Sequence, residues 1–189
     1  MLKVKALLFD VFGTVVDWRS GIANEVKKIA NKNKIVINPN DFADAWRAEY
    51  QPAMEEIRKG NRSFTILDIL HMENLKKISS RFGLDKLSSD DFDLLVKAWH
   101  RLPGWPDSSK GLNKLKTKFI IATQSNGNIA LMVNMAKYSN LNWDVILGAE
   151  VVGHYKPEPE AYLKACRALH LNPEECMMVA AHDDDLKAA

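Results

Sequence analysis

An aspartate near the N-terminus is the first residue whose setting predicts chemistry. Residues 4–9 are mostly apolar, Asp10 ends this run, and a turn containing Gly13 and Thr14 follows at once. Parallel α/β sheets bind their ligands at the carboxyl ends of their strands, and a carboxylate can act as a covalent nucleophile. The pattern predicts a reactive Asp10, although a strand-end aspartate that only caps a turn fits this stretch equally well.

Phe12 narrows the chemistry that Asp10 can perform. A second carboxylate two residues after Asp10 would sit beside it and could give a proton to a leaving group. Phe12 has no proton to give and provides an apolar wall. The pair therefore favours a reaction whose leaving group needs no acid.

A lysine late in the chain is a candidate partner for this carboxylate. Lys156 lies between Tyr155 and Pro157, in a loop before a helix predicted to begin near Glu158. Most lysines are solvated surface residues, but the flanking proline stiffens this loop. Either interpretation is compatible with these residues alone.

Ser125 and Asn126 follow a second apolar run, residues 119–123, and precede a helix predicted to start near Asn128. Serine and asparagine are favoured helix caps. A helix N-terminus is also an anion site, so both roles can hold together.

Two further groups could carry charge into a site. Arg47 lies beside Trp46 in a helical pattern, where its stem could pack on the aromatic ring and hold its guanidinium in place. Asp183, Asp184 and Asp185 follow a third apolar run. Arg47 could instead be an ordinary solvated arginine. The three aspartates could instead cap a helix and interact favourably with the positive end of its dipole.

The elements that must position these residues fall into two kinds. The chain reads as alternating strands and helices over residues 1–15 and about 103–189, and as helices only over residues 18–100. In the helical stretch, Pro52 is predicted to kink or end a helix, and Ser88 is predicted to begin one. This alternation, interrupted by a stretch of helices only, predicts a parallel α/β core with a helical insert. Both ends of the insert are predicted to lie close to Asp10.

Composition is that of an ordinary soluble protein. The 189 residues are 47% hydrophobic and 26% charged, with a net charge of +2, so we expect neither nucleic-acid nor membrane binding. Cys166 and Cys176 lack CxxC spacing and are expected to be reduced thiols in a cytoplasmic protein. A homodimer is left open.

Four motifs in a fixed order resemble those of the haloacid dehalogenase-like superfamily, and the match runs through the whole chain. Asp10-Val-Phe-Gly-Thr14 is similar to the first motif of its type II (S)-2-haloacid dehalogenases, whereas its phosphatases usually read Asp-x-Asp-x-Thr. Ser125-Asn-Gly127, Tyr155-Lys-Pro-Glu-Pro159 with Tyr162 beyond it, and His182-Asp-Asp-Asp185 resemble the other three.

The resemblance implies a Rossmann-like parallel sheet core, residues 1–15 and 103–189, and a four-helix cap, residues 16–102. It also implies that the family's last strand and helix are missing from this chain. The roles that it implies are a nucleophile (Asp10), a lysine that orients it (Lys156), a water-activating carboxylate (Asp185) and a further catalytic residue in the first motif (Thr14). Its implied substrate-binding residues are Phe12, Arg47 for the halide, Ser125 with Asn126 for the substrate carboxylate, His182, and Phe64 as pocket wall.

The acidic motif departs from the better-known family pattern. Many of these dehalogenases read Ser-Ser-Asn-x-x-Asp, whereas this chain has Ala180, Ala181 and His182 before its aspartates. His182 could donate to the halide or to the hydrolytic water. The change bears on substrate range and rate more than on reaction type.

The reaction implied is hydrolytic dehalogenation of (S)-2-haloacids to (R)-2-hydroxyacids through an ester on Asp10, with water and halide as partners and no cofactor or metal. Two alternatives remain at this stage. One is a Mg²⁺-dependent phosphatase using Asp10, Asp183 and Asp185 as ligands. The other is a non-catalytic binding protein on the same fold.

Overall fold

A computed structural model describes residues 4–189, which contain a small parallel sheet among helices. Its three strands stand in the order β2-β1-β3, and all neighbours are parallel. Ala6 pairs with Ile120 on one side and Cys176 on the other. The strands are β1 (Ala6–Phe9), β2 (Ile120–Thr123) and β3 (Cys176–Val179).

β1 is the middle strand because its residues are apolar enough to be buried on both faces. All four of its residues are buried, as expected for a parallel strand covered on both sides. The third strand, β3, ends at Val179. Two residues later, Ala181 donates its N–H to the Thr14 hydroxyl, 2.9 Å away, so the chain after β3 turns toward the loop that follows Asp10.

Between β1 and β2, the described chain forms helices and no paired strand, as predicted for residues 18–100. Ser88 begins a helix as predicted, and its hydroxyl accepts the N–H of Asp91. The α-helices here are α1 (Trp18–Lys32), α2 (Pro39–Ala48), α3 (Tyr50–Arg58), α4 (Leu67–Ser79) and α5 (Ser89–Val96), with 3₁₀ turns at Ser80–Phe82 and Lys97–Arg101.

Pro52 was predicted to kink or end a helix, and the helix before it does end, at Ala48. The break gives five α-helices where the resemblance implied four, and Pro52 itself lies in the first turn of the next helix, α3. A proline there has no N–H to give to the carbonyl of Ala48 and would crowd it. The chain therefore breaks at Glu49, and α2 and α3 are separate helices.

The remaining helices surround the sheet. They are α6 (Ser108–Lys116), α7 (Ile129–Tyr138), α8 (Ala149–Val152), α9 (Pro159–Ala168) and α10 (Asp183–Ala188), with a 3₁₀ turn at Pro173–Glu175. None of the helices in residues 4–189 is both long and apolar enough to cross a membrane.

The two chain crossings between the helical segment and the sheet run side by side. Asp17 donates its N–H to Pro103 O at 2.9 Å, and Val16 forms an antiparallel bridge with Gly104. Val16 and Asp17 follow Asp10 closely in the sequence, and the returning chain at Pro103 and Gly104 lies against them. Both crossings are therefore close to Asp10, as predicted from the sequence. The exact division at residues 15 and 103 stays a prediction.

An aromatic cluster joins the helical segment to the Asp10 loop. Phe12 is 2% exposed, and its ring meets Trp99 edge-on at 5.8 Å. Trp99 also stacks on Trp18 at 6.3 Å and meets Trp46 at 5.4 Å. The wall beside Asp10 is thus fixed by packing from the helices.

Candidate active site

The Asp10 carboxylate is buried, 7% exposed, directly after the middle strand. Its backbone N–H donates to Val179 O at 2.9 Å, and its Oδ2 accepts the Thr14 hydroxyl at 2.8 Å. The Thr14 hydroxyl is thus the donor from this turn that holds Asp10, whereas the Gly13 N–H donates to Val16 O at 3.0 Å.

The Lys156 ammonium bridges two carboxylates. Its Nζ lies 3.0 Å from Asp10 Oδ1 and also donates to Asp185 Oδ2. Lys156 is 7% exposed, so this contact is shielded from water and stronger than a surface pair. The loop before α9 is held by Asn126, whose Oδ1 accepts the Lys156 N–H at 2.8 Å.

Tyr162 is a site residue that the sequence analysis did not assign. Its hydroxyl donates to Asp185 Oδ1 at 2.6 Å. Burial, followed by the hydrogen bond to this carboxylate, raises the pKa of Tyr162 well above its usual range. The phenol therefore stays protonated, and both oxygens of Asp185 are engaged. The feature of the sequence that could have indicated this role is the position of Tyr162, one turn into the helix that follows Lys156.

The other two acids of the last motif play lesser parts. Asp183 and Asp184 lie in the first turn of α10 and are exposed. The expectation that one of them caps the helix was wrong, since the N-cap is His182. Only Asp184 of the two lines the pocket above Asp10.

Ser125 and Asn126 are buried, but they do not cap α7. Ser125 Oγ accepts the Gly127 N–H at 3.1 Å, and the first helical N–H, of Ile129, is capped by Glu150 at 2.7 Å. Asn126 lines the pocket, whereas Ser125 is not among the lining residues. The loop closes on itself because the serine hydroxyl is the nearest acceptor for Gly127.

Arg47 is held over aromatic rings and faces the same pocket as Asp10. Its guanidinium carbon lies 3.8 Å from the centre of the Tyr50 ring, 5.4 Å from Trp18 and 5.8 Å from Phe12. Its Nη1 is buried and has no hydrogen-bond partner among the described residues. A buried, unpaired cationic donor is costly, so this group is set to receive an anion.

His182 contacts the first motif directly. Its Nε2 lies 3.0 Å from Phe12 O and 3.8 Å from Asp10 Oδ2. Because a carbonyl only accepts, Nε2 carries the proton in this contact. Gly13, at φ +88°, leaves room for the ring, since a Cβ there would lie 3.1 Å from Nε2.

The Phe64 expectation was wrong. Its ring packs on Tyr155 at 5.3 Å and does not line the pocket. The Tyr155 hydroxyl donates to Thr65 O at 2.5 Å, which fixes Phe64 behind the Lys156 loop. Burial raises the pKa of Tyr155 above its usual range, so this hydroxyl also keeps its proton.

The pocket has a volume of about 590 Å³. Sequence reasoning missed the contribution of α3, whose side chains form the roof. Gln51, Glu55 and Arg58 follow one another at spacings of four and three residues, which places them on one face of the helix. This spacing could have been recognised in the sequence. The lining residues are Asp10, Arg47, Tyr50, Gln51, Glu55, Arg58, Asn126, Lys156, Pro157, Glu158, His182, Asp184 and Asp185.

The proposed magnesium ligands do not come together. Among residues 4–189, no three His, Cys, Asp or Glu side chains are arranged to hold a metal ion. The Lys156 ammonium lies where a cation between Asp10 and Asp185 would sit. In this arrangement Asp10 and Asp185 are both paired with an ammonium.

Comparison with known proteins places this site in a family. The model of the haloacid dehalogenase-like hydrolases matches residues 4–189, so the chain belongs to this family. A solved defluorinating L-2-haloacid dehalogenase is 48% identical, with a TM-score of 0.96 over 98% of this chain and 76% of that one.

Two curated relatives are more distant. The (S)-2-haloacid dehalogenase 4A of Burkholderia cepacia is 28% identical over 99% of this chain and 79% of its own length. The pyrophosphatase PpaX of Bacillus cereus (strain Q1) is 22% identical over 98% of this chain and 78% of its own. The relatives thus include a haloacid dehalogenase and a pyrophosphatase, so the geometry of the site is needed to distinguish the two activities.

Proposed function

We propose that this protein hydrolyses (S)-2-haloacids to (R)-2-hydroxyacids through an ester on Asp10. The observation that carries the proposal is the shared ammonium: Lys156 pairs with both Asp10 and Asp185 beside the apolar Phe12. Phosphatases of the superfamily usually have a second acid two residues after the first aspartate of the first motif, where this chain has Phe12. The identity to haloacid dehalogenases supports the same assignment.

In the first step, Asp10 attacks the carbon that bears the halogen. The attacking oxygen forms a C–O bond as the C–halogen bond breaks and halide leaves with the electron pair. Lys156 and Thr14 hold the carboxylate, and a fixed geometry in a shielded pocket makes a carboxylate an effective nucleophile. The halide departs toward the unpaired donor of Arg47. Asn126 and the adjoining Ser125 loop hold the substrate carboxylate.

In the second step, water attacks the carbonyl carbon of the Asp10 ester. Asp185 takes a proton from this water, and Tyr162 and Lys156 hold its oxygens during the transfer. The tetrahedral intermediate breaks its bond to the 2-hydroxyacid oxygen, which leaves as an alkoxide and takes the proton back from Asp185. The second proton of the attacking water is lost to solvent as Asp10 returns to its carboxylate form. The substrate carbon is attacked once, so its configuration inverts.

A paired assay tests this proposal. The enzyme is given (S)-2-chloropropionate or pyrophosphate, each with EDTA and with added Mg²⁺, and chloride and phosphate are measured. We expect chloride release that EDTA leaves unchanged. Phosphate release that depends on Mg²⁺, without chloride release, would show that the protein is a phosphatase instead. If neither chloride nor phosphate is released, the remaining alternative is a non-catalytic binding protein.

A further inference from the structure

Arg58, the last residue of α3, connects the helical segment to the backbone of Lys156. Its Nη1 donates to Lys156 O at 3.1 Å, across 98 positions of sequence. The side chain is only 12% exposed. The contact is therefore partly shielded from water, and hydrogen bonds from a charged donor are stronger than neutral ones.

The guanidinium is aimed by its own helix. Its Nε donates to Glu55 Oε2 at 2.8 Å, and its Nη2 donates to Gln51 Oε1 at 3.2 Å. These three residues share one face of α3. Because the fork is planar and rigid, fixing two of its nitrogens points the third at Lys156 O.

The backbone of Lys156 is thereby held from two sides. Its N–H donates to Asn126 of the core, and its carbonyl accepts from Arg58 of the helical segment. The residue before it is tied to the same segment, since the Tyr155 hydroxyl donates to Thr65 O. The ammonium between Asp10 and Asp185 depends on this backbone for its position.

We propose that Arg58 is a positioning residue that makes the placement of the Lys156 ammonium depend on the seating of α3 over the pocket. The inference rests on the proposed function for its effect on turnover, but not for its effect on Lys156. With α3 seated, Arg58 holds Lys156 at both carboxylates. With α3 displaced, the same lysine loses one of its backbone anchors.

The test compares Arg58→Met with Arg19→Met on (S)-2-chloropropionate. Arg19 is a matched control, because it pairs with Asp44 at 2.7 and 2.6 Å in the same segment, but 48% of it is exposed and it lies outside the pocket. We expect Arg58→Met to lower kcat about 10- to 100-fold, the scale of a small misplacement of a reacting group. KM should change much less, and Arg19→Met should match the wild type.

A second readout does not require turnover. Lys156 is acetylated with limiting acetic anhydride, and its rate is read from peptide masses. Arg58→Met should label Lys156 several-fold faster than the wild type, because a looser backbone exposes the ammonium. If Arg58→Met does not fold, Arg58→Lys and Glu55→Gln replace it. Arg58→Lys removes the fork, Glu55→Gln removes the carboxylate that orients the fork, and both leave most of the packing.

The two readouts together decide the question. A lower kcat with faster labelling supports the coupling. An unchanged kcat overturns it, and so does a lower kcat without faster labelling, because Arg58 would then act elsewhere. If the wild type releases no halide, the proposed function fails, and the labelling of Lys156 alone decides the coupling.

Discussion

Asp10 and Asp185 share the Lys156 ammonium but differ in their second hydrogen-bond donor. Asp10 accepts from Lys156 and from Thr14, and it lines the pocket. Asp185 accepts from Lys156 and from a phenol that keeps its proton. In the proposed reaction, Asp10 is the carboxylate that attacks the substrate carbon, and Asp185 is the one that accepts a proton from water.

At this scale, the origin of the product oxygen tests the nucleophile. In a single turnover with enzyme in excess in ¹⁸O-water, we expect unlabelled hydroxyacid and one label on Asp10, because the product takes its oxygen from the side chain. Mass spectrometry of the peptide that contains Leu8 to Trp18 reads the label. A labelled first product with an unlabelled peptide would mean that Asp10 acts as a general base on water.

The pairing of Asp10 with Lys156 was predictable at the residue scale, whereas the partners of Asp185 were only partly so. Asp10 and Lys156 lie in motifs whose order the family keeps, and their types are complementary. Arg58 could not be placed, because its contact depends on where α3 ends relative to a loop 98 residues away. Ser125 closing on Gly127, in place of capping α7, depends on the competing Glu150.

At the scale of elements, a buried polar network joins α4, α7 and the Lys97–Arg101 turn. Asp68, in the first turn of α4, accepts from Asn128 at 3.1 Å and pairs with His100 at 2.9 Å. The other nitrogen of His100 lies 2.9 Å from the Asn134 amide. The sequence predicted these helices from their apolar spacing, but no periodicity marks the polar residues that connect them.

We expect Asp68→Asn to lower the free energy of unfolding at pH 7 by about 1–3 kcal/mol, the usual contribution of hydrogen bonds to a charged group. Burial opposes ionisation, but the bonds from His100 and Asn128 outweigh it and lower the pKa of Asp68 below its ordinary 3.8. A lowered folded-state pKa stabilises the protein above the unfolded value, and this is lost as the pH falls through the folded value.

Urea unfolding at several pH values measures this effect. The gap between wild type and Asp68→Asn should close as the pH falls below about 4. Asp90→Asn is the control, because Asp90 is an exposed acid in the first turn of α5. A gap that persists unchanged into acid would mean that Asp68 contributes by shape and not by charge.

For the whole molecule, the close approach of the two chain crossings limits how the helical segment can sit on the sheet. Gly21 of α1 faces the returning chain, and a Cβ there would lie 2.8 Å from Leu102 Cδ2 and 2.9 Å from Pro103 Cδ. The end of the Leu102 side chain can move away from an added Cβ. The Pro103 ring cannot, because it is bonded to the backbone nitrogen. The crossing therefore needs a residue without a side chain.

We expect Gly21→Ala to destabilise the protein. Overpacking costs about 1–3 kcal/mol, which exceeds the roughly 1 kcal/mol that alanine adds in a helix. Gly111→Ala is the control in α6, where a Cβ meets nothing within 4 Å, and we expect it to raise Tm. The comparison is made by thermal unfolding, and a stabilised Gly21→Ala would show that the crossing adjusts freely.

The shared ammonium has a further consequence for the charge balance of the reaction cycle. At rest, the inner pocket balances two negative groups, Asp10 and Asp185, against two positive ones, Lys156 and Arg47. In the proposed reaction, esterification removes the charge of Asp10, but the carboxylate of the bound substrate takes its place, so the ester state and the empty pocket have the same net charge. The released halide is the one anion in excess, and its departure restores the balance. Dissolved chloride should consequently slow substrate entry and ester hydrolysis alike.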